Sequence, residues 1–504
     1  MGERTKMTTD RKRPFEITPD TRPNWPFQSL RDYMSYLDER GRMLHVDKPS
    51  DVRFEIGAIS KKLMEDGSDK ACMFWNARSS HPDWHVEPPY DVVVDGIHRH
   101  VRMVEDAFNV SRDELFETWI DRLQPSKLLD PVIVDRSEAP CKEVVIPEEE
   151  VDLYKLPIDM CTAKMGGPFL SKAVCFIRHP DTGTSNFAIY RLHAKGPKHT
   201  GILIVPNQHV ASVYAKYGSE GKDMPMCAAL GVDPMMSIIS GAPVPTDSPE
   251  ERVWGAMTGR PLPMVKSELY DINVPAYAEY ILEGEVVHDL RDSEGPYGEY
   301  TGYYSGIRDL PVFKVKCITH RKQPIYESVT IGKPPSEGNF LVEMGFNLEM
   351  TRGIRAYLPE VKAVRSLMCH GLVTVVQIDK KRRYKGLAFR AGHMVWSKKA
   401  LVKNVLVIDD DIDIWDNDDI WWAFATHTQA HKSVQIVPDV SGCRLDPSEP
   451  FGGEEGVSCK MVIDCTEPFP PYHAPYMRGV AGPDEETYKR VLENWDSYWE
   501  NGAP

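Results

Sequence analysis

Ala173-Val174-Cys175-Phe176-Ile177, then His179-Pro180-Asp181-Thr182-Gly183, then Asn186-Phe187-Ala188-Ile189-Tyr190-Arg191. Two short apolar runs flank a turn built from proline, aspartate and glycine. Runs rich in β-branched and aromatic residues, punctuated this way, predict a β-hairpin. Residues 201–205 and 312–318 share the texture. Residues 141–325 therefore read as a β-rich, barrel-like domain with a few helices, one of them expected near 210–217.

The pattern differs on either side. Before this domain, Phe27, Leu30, Tyr33, Met34 and Leu37, then Ile56, Ile59, Leu63 and Met64, recur at helical spacing, and 90–94 and 132–134 read as strands. This makes 27–140 an N-terminal α/β region. Residues 1–26 are charged and proline-spaced and read as a flexible, frayed extension. After it, 339–352 reads as a helix, 372–378, 404–408 and 433–437 as buried strands, and 420–426 as a helix between the last two. We divide this part into an α/β segment, 326–398, and a C-terminal α/β domain, 399–504. Pro483, Asp484, Glu485 and Glu486, then Tyr488, Val491, Leu492, Trp495 and Trp499, predict an amphipathic terminal helix with an oligomerising face. The fold class is α+β, multi-domain.

Composition narrows the function. The 504 residues carry 60 basic and 75 acidic side chains, a net charge of −15. That balance argues against duplex nucleic acid or an anionic membrane surface as partner. No uncharged apolar stretch has the roughly 20 residues that a membrane span needs. The start lacks the apolar core of a signal peptide, and Lys6 stands where myristoylation wants Ser or Thr. Ten scattered cysteines without C-x-x-C read as reduced thiols. The expected location is cytoplasmic.

Common motifs fail. There is no G-x-G-x-x-G, no G-x-x-x-x-G-K-[ST] and no G-x-S-x-G. Asp409-Asp410-Asp411-Ile412-Asp413 opens like an EF-hand, but Ile414 and Ile420 replace the glycine and glutamate that loop requires. His427 and His431 stand four apart on an expected helix without a third ligand, and His98 and His100 are no more persuasive.

Three segments remain. In the first, Asn186 and Arg191 are five apart on an expected strand, on opposite faces unless a bulge intervenes. Arg191, inside an apolar run, is either an edge-strand arginine or a fork for a carboxylate or phosphate. In the second, Ser248, Pro249 and Glu251 form an expected capping box, which aims Glu250 from a first helical turn. Glu250 either complements the helix dipole or, with Asn186 and His209, ligates a hard cation. In the third, Glu294 and Glu299 bracket Gly295-Pro296-Tyr297-Gly298. It is either a polar hairpin or a pair of carboxylates whose mutual repulsion raises one pKa and so suits a proton donor.

Taken together, these segments resemble the UbiD family of decarboxylases. So do Asn273-Val274-Pro275-Ala276, Glu279 to Glu285, Gly332-Lys333-Pro334-Pro335, and Asp410 to Asp413 followed by Trp421, Ala423 and Thr426. The resemblance runs from about Phe27 to Trp499. It implies a central split β-barrel of the flavin-reductase-like kind. It implies prenylated FMN as cofactor and reversible, non-oxidative decarboxylation of an aromatic, heteroaromatic or α,β-unsaturated acid through a covalent adduct. Arg191, Glu294 and Glu299 match the family's Glu-Arg-Glu network. Asn186, His209 and Glu250 match its ligands for Mn2+ or Mg2+. Backbone oxygens near Phe187, Ser240 and Ala242 match its K+ site. Asn186, Phe187, Ile189, Arg191, His209, Ser240, Glu250 and Lys399 would contact the cofactor, Lys399 at its phosphate. The implied partners are the acid and CO2, a flavin prenyltransferase as cofactor supplier, and a second copy or more of this chain.

The chain departs from the family's Pro-Pro-x-Glu-Asp loop at Pro334-Pro335-Ser336-Glu337-Gly338-Asn339-Phe340, which bears on substrate class. Phe340 and Tyr326 are expected to line an apolar slot for an aromatic acid. Two other readings compete: an FMN redox protein on a split barrel, and a non-catalytic oligomeric scaffold.

Overall fold

The computed structural model describes residues 13–205, 208–245, 248–448, 456–471 and 481–499. Residues 1–12 of the expected N-terminal extension, and Pro206 and Asn207 ahead of His209, lie outside the described residues.

The predicted hairpin is present: strands Phe169–Arg178 and Ser185–Ala194 pair antiparallel across the turn at 179–184. They lie in a seven-stranded sheet of order His199–Ile202, Ser185–Ala194, Phe169–Arg178, Met224–Leu230, Tyr280–Glu294, Arg308–His320, Val144–Ile146. His199–Ile202 also pairs with Arg308–His320. Even-numbered residues of Ser185–Ala194, among them Tyr190 and Leu192, pack into one core with Leu282, Val286 and Phe313. Odd-numbered Phe187 packs into a second core with Trp254, Met236 and Leu348, and Ile189 lies against it. Burial on both faces is why the segment reads as nearly continuously apolar.

The N-terminal sheet has the order Met43–Val46, Ala71–Phe74, Val93–Asp95, Tyr326–Ser328. Its last strand comes from beyond the central domain. Tyr326 is consequently a core residue, fully buried, and does not line a slot. The strand expected at 132–134 forms as Val132–Ile133, but its partner is Pro263–Lys266 of the central region.

Helix Glu337–Arg355 leads into a five-stranded sheet of order Val361–Met368, Val373–Ile378, Asn404–Asp409, Val457–Asp464, Val434–Ser441. Helix Asn417–His427 stops at His427, and a separate short helix, Ala430–Ser433, carries His431. The two histidines therefore do not share a helix. The terminal helix Glu485–Glu493 is capped by Asp484, whose side chain accepts from the amides of Glu486 and Thr487, and Tyr488, Leu492, Trp495, Tyr498 and Trp499 are exposed. No helix among the described residues is long and apolar enough to cross a membrane. All ten cysteines are free.

Candidate active site

Strand Ser185–Ala194 keeps unbroken register with its partner from Arg178↔Ser185 to Ala173↔Tyr190. The break falls between Leu170 and Ala173, so the extra residue sits on the neighbouring strand, across from Arg191. Asn186 and Arg191 thus keep opposite faces and meet different partners.

At the start of the strand, the Asn186 Nδ2 donates to Glu250 Oε1 at 2.7 Å and lies 3.4 Å from His209 Nδ1. The Phe187 amide donates to Glu250 Oε2 at 3.3 Å. The structure so brings Asn186, His209 and Glu250 together. His209 opens helix His209–Ser219, close to the helix expected at 210–217. The expected capping box does not form. Helix Glu250–Thr258 begins one residue later, with Pro249 as N-cap in a non-helical conformation (φ −50°, ψ 137°). Glu251, freed from a cap role, accepts from the Ser185 hydroxyl. Burial pushes the Glu250 carboxyl up to about 8, against the pull of its amide donors.

Arg191 lies five residues further along the strand from Asn186. Its Nε and Nη2 fork onto Glu294 at 2.8 and 3.1 Å, and its Nη1 donates to Glu299. The guanidinium lies 4.5 Å from the centre of the Tyr297 ring. Both glutamates are buried. Burial raises the Glu299 pKa, and the Arg191 charge opposes that shift. Glu294 ends strand Tyr280–Glu294, and the turn after it depends on glycine. Gly295 has φ +98°, and a Cβ on Gly166 would stand 2.1 Å from the Gly295 carbonyl oxygen. His193, two residues past Arg191 on the same face, accepts from the Gly295 amide at 3.3 Å while its ring stacks on Phe169 at 4.1 Å. Period-two spacing from Arg191 could have singled out His193; nothing in the sequence marked it.

Ile189 and Tyr297 border a cavity of about 30 Å3, with Ser171, Lys172, Ile331 and Leu341. Ser240 ends helix Pro234–Ser240, its hydroxyl donating to the Ser237 carbonyl at 2.7 Å. A Cβ on Gly345 would come within 2.7 Å of the Ala242 nitrogen, so helix Glu337–Arg355 packs tightly on the turn after Ser240. Phe340 is partly buried against the core. Lys399 follows helix Leu387–Lys398, and its electrostatic neighbours are Cys443 and His370. Cys443 contacts the hydroxyl of Tyr300, the residue after Glu299, at 2.9 Å. Sequence reasoning did not single out Tyr300, His370 or Cys443.

A larger cavity, about 450 Å3, shares none of these residues. It is lined by Asp113, Glu117, Asp410, Asp411, Asp413 and Trp415, among others. The aspartates of the rejected EF-hand run are engaged: Asp411 with Lys380 at 2.5 Å, Asp413 with Arg112 at 3.0 Å.

Among the described residues, no three His, Cys, Asp or Glu side chains gather as a metal site. The Asn186 group offers one amide, one imidazole and one buried carboxylate, a donor set that suits a hard divalent cation completed by phosphate or water oxygens. These residues at the start of the strand fit a metal-tethered phosphate.

Family models agree along the chain. The N-terminal, Rift-related and C-terminal domain models of 3-octaprenyl-4-hydroxybenzoate carboxy-lyase match residues 34–123, 132–334 and 340–465. The phenolic acid decarboxylase of Bacillus subtilis (strain 168) is 30% identical over 456 residues, covering 88% of this chain and 93% of its own. The structure of the UbiD-class enzyme HmfF from Pelotomaculum thermopropionicum in complex with FMN superposes with a TM-score of 0.81 at 31% identity, over 91% of this chain and 98% of that one. Vanillic acid decarboxylase from Sedimentibacter hydroxybenzoicus, in closed form, gives 0.79 at 28% identity, over 93% and 99%. The chain belongs to the UbiD family of carboxy-lyases.

Proposed function

We propose that this chain catalyses the reversible, non-oxidative decarboxylation of an aromatic, heteroaromatic or α,β-unsaturated carboxylic acid with prenylated FMN. The observation that carries the reading is Arg191 held between the buried Glu294 and Glu299 beside the Ile189–Tyr297 cavity. Loss of CO2 from an sp2 carbon leaves an unstabilised carbanion, and the cofactor, when bound, supplies the electron sink that side chains lack. Arg191 orients the substrate carboxylate and pairs with Glu294 through its two-nitrogen fork. Glu299, whose pKa burial raises, delivers a proton to the carbon that lost CO2 and takes it back in the reverse direction. Asn186, His209 and Glu250 would hold Mn2+ or Mg2+, which would offset the charge of the cofactor phosphate, and backbone oxygens near Phe187, Ser240 and Ala242 would hold K+. Ile189 would contact the cofactor.

The remaining parts of the reading have different supports. The pairing of His199–Ile202 with both Ser185–Ala194 and Arg308–His320 supports a split β-barrel. The exposed aromatics of the last helix support a homodimer or higher homo-oligomer through residues 399–504. A flavin prenyltransferase would supply the cofactor to a cytoplasmic enzyme.

The test is the mass of the small molecule released on denaturation, after anaerobic purification from cells co-producing a flavin prenyltransferase. FMN carrying an added five-carbon unit is the expected result. Plain FMN would favour a redox protein, and no flavin at all a scaffold; either would overturn the reading.

A further inference from the structure

The cavity beside Ile189 and Tyr297 is bounded by a position that has no side chain. Gly338, second residue of helix Glu337–Arg355, forms part of its wall together with Val329, Ile331, Leu341 and Val342. It stands where the chain departs from the family's loop. Glycine is disfavoured inside a helix relative to alanine. The Gly338 backbone is not left-handed, so its conformation alone would admit alanine. The obstacle is Ile331. A Cβ on Gly338 would lie 3.2 Å from Ile331 Cβ, 3.3 Å from its Cδ1 and 3.4 Å from its Cγ1.

Hydrogen bonds hold these two residues at that spacing. The Gly338 amide donates at 3.0 Å to the carbonyl of Thr330, which precedes Ile331. On one side of Gly338, Glu337 accepts from the Gly96 and His98 amides at 2.9 and 2.8 Å. On the other, Asn339 Nδ2 donates to the carbonyls of Tyr300 and Gly332 at 3.0 and 3.4 Å. Ile331 itself packs against the cluster of Met160, Met165, Phe169 and Tyr297, which limits its retreat. A side chain at position 338 would therefore fill the cavity or press Ile331 into it.

The cavity suits an apolar occupant. Of the polar residues in its wall, Lys172 is engaged with Glu327 and lies 3.2 Å from His98, and Ser171 interacts with Tyr297. The space, about 30 Å3, holds a methyl-sized group and not a ring. Tyr297 also lies under the Arg191 guanidinium, 4.5 Å from its ring centre, so the cavity adjoins the group assigned to the substrate carboxylate.

We propose that Gly338 is a specificity-determining residue: the notch it leaves beside Ile331 receives a small apolar substituent, one methyl in size, on the ring or double bond of the acid. This rests on the decarboxylase reading and adds to it a selection by size. A methyl group of the bound cofactor is the other source of the same chemistry.

The experiment measures dissociation constants of benzoate, cinnamate and their ring-methylated and ring-ethylated isomers on the FMN-loaded protein. It also measures FMN and, anaerobically, prenylated FMN on the stripped protein. The chains compared are the native one, Gly338→Ala, Ile331→Val and the double variant. In the native chain, at least one methyl isomer should bind as well as its parent acid, and the matching ethyl isomer about tenfold more weakly. Gly338→Ala should weaken that methyl isomer about tenfold, with the parent acid and both flavins within threefold. Ile331→Val, which removes the δ-methyl, should admit the ethyl isomer, and in the double variant it should restore the methyl isomer. Ile331→Val alone tests the notch if the alanine variant fails to fold. Unchanged isomer preferences in Gly338→Ala and Ile331→Val overturn the proposal. So does weakened prenylated FMN in Gly338→Ala with the acid ratios intact, which would put a cofactor group in the notch. A native chain that takes up neither flavin, or binds none of the acids, would defeat the decarboxylase reading and the proposal with it.

Discussion

Two buried networks in this protein have nearly the same composition and opposite character. One is Glu294–Arg191–Glu299. The other lies under the N-terminal sheet: Lys172 with Glu327, Lys172 Nζ 3.2 Å from His98 Nε2, Arg99 with Asp95 at 2.5 Å, and Glu337 accepting from the Gly96 and His98 amides at 2.9 and 2.8 Å. In the second, Glu337 is fastened by backbone amides of a neighbouring segment, and Asp95, Glu327 and Ser328 sit on strands, so the charges staple two parts of the chain. In the first, both carboxylates rest on one guanidinium, and the loop bearing Glu299 turns on glycines. A carboxylate whose partner is one side chain can exchange a proton without unfastening the fold. Composition does not separate the two networks; the kind of hydrogen-bond donor does.

The largest expected effect therefore falls on Glu299. Glu299→Gln should lower turnover by about 10²–10⁴-fold, the range for a lost general acid–base group, with an unchanged thermal midpoint. Full activity in single-turnover assays would remove Glu299 from the proton-transfer role. Glu250→Ala should lose metal and flavin together, with metal affinity falling at least about tenfold. Stoichiometric flavin in the purified variant would take Glu250 out of the ligand set. On the stapling network the effect should move from rate to stability. Lys172→Met strands Glu327 in the interior without its cation, a loss of about 3–5 kcal/mol readable in denaturant unfolding. A variant as stable as the native chain would show that the pair does not staple the sheet.

The same contrast explains what the sequence made legible. The hairpin strands were readable because both faces are buried and the turn is explicit. The long strand Tyr280–Glu294 was not, since it carries Glu283, Glu285, His288, Asp289 and Arg291 and is broken by register shifts at Glu283/Gly284 and Val286/Arg291. Glu283 looks like a surface residue, yet it is buried against Lys142 at 3.0 Å, a pairing across the chain that no local pattern encodes. Tyr326–Ser328 joins a sheet whose other strands lie more than two hundred residues earlier, which local periodicity cannot announce. In the site, Arg191, Glu294 and Glu299 were individually ambiguous. Only the family resemblance joined residues about a hundred positions apart. The left-handed backbone of Cys369 and His370, at φ 52° and 50°, left no trace beyond an ordinary Cys-His-Gly, because at non-glycine residues it is imposed by packing.

His193 offers a finer comparison, since it belongs to the strand of Arg191 but works by holding the loop. Burial, reinforced by the charge of Lys195, depresses its pKa from 6.5 to about 4. A depressed folded pKa means that the unfolded chain takes up the proton first. The stabilisation is full above pH 6.5 and is lost as pH falls through about 4. The 2.5-unit gap corresponds to about 3 kcal/mol. Unfolding free energies between pH 7 and 4 should accordingly fall more steeply for the native chain than for His193→Gln, whose amide oxygen can still accept from Gly295 but does not titrate. Parallel pH profiles would mean that the imidazole is protonated in place, and that the loop carrying Glu294 and Glu299 tolerates a second positive charge beside that of Arg191.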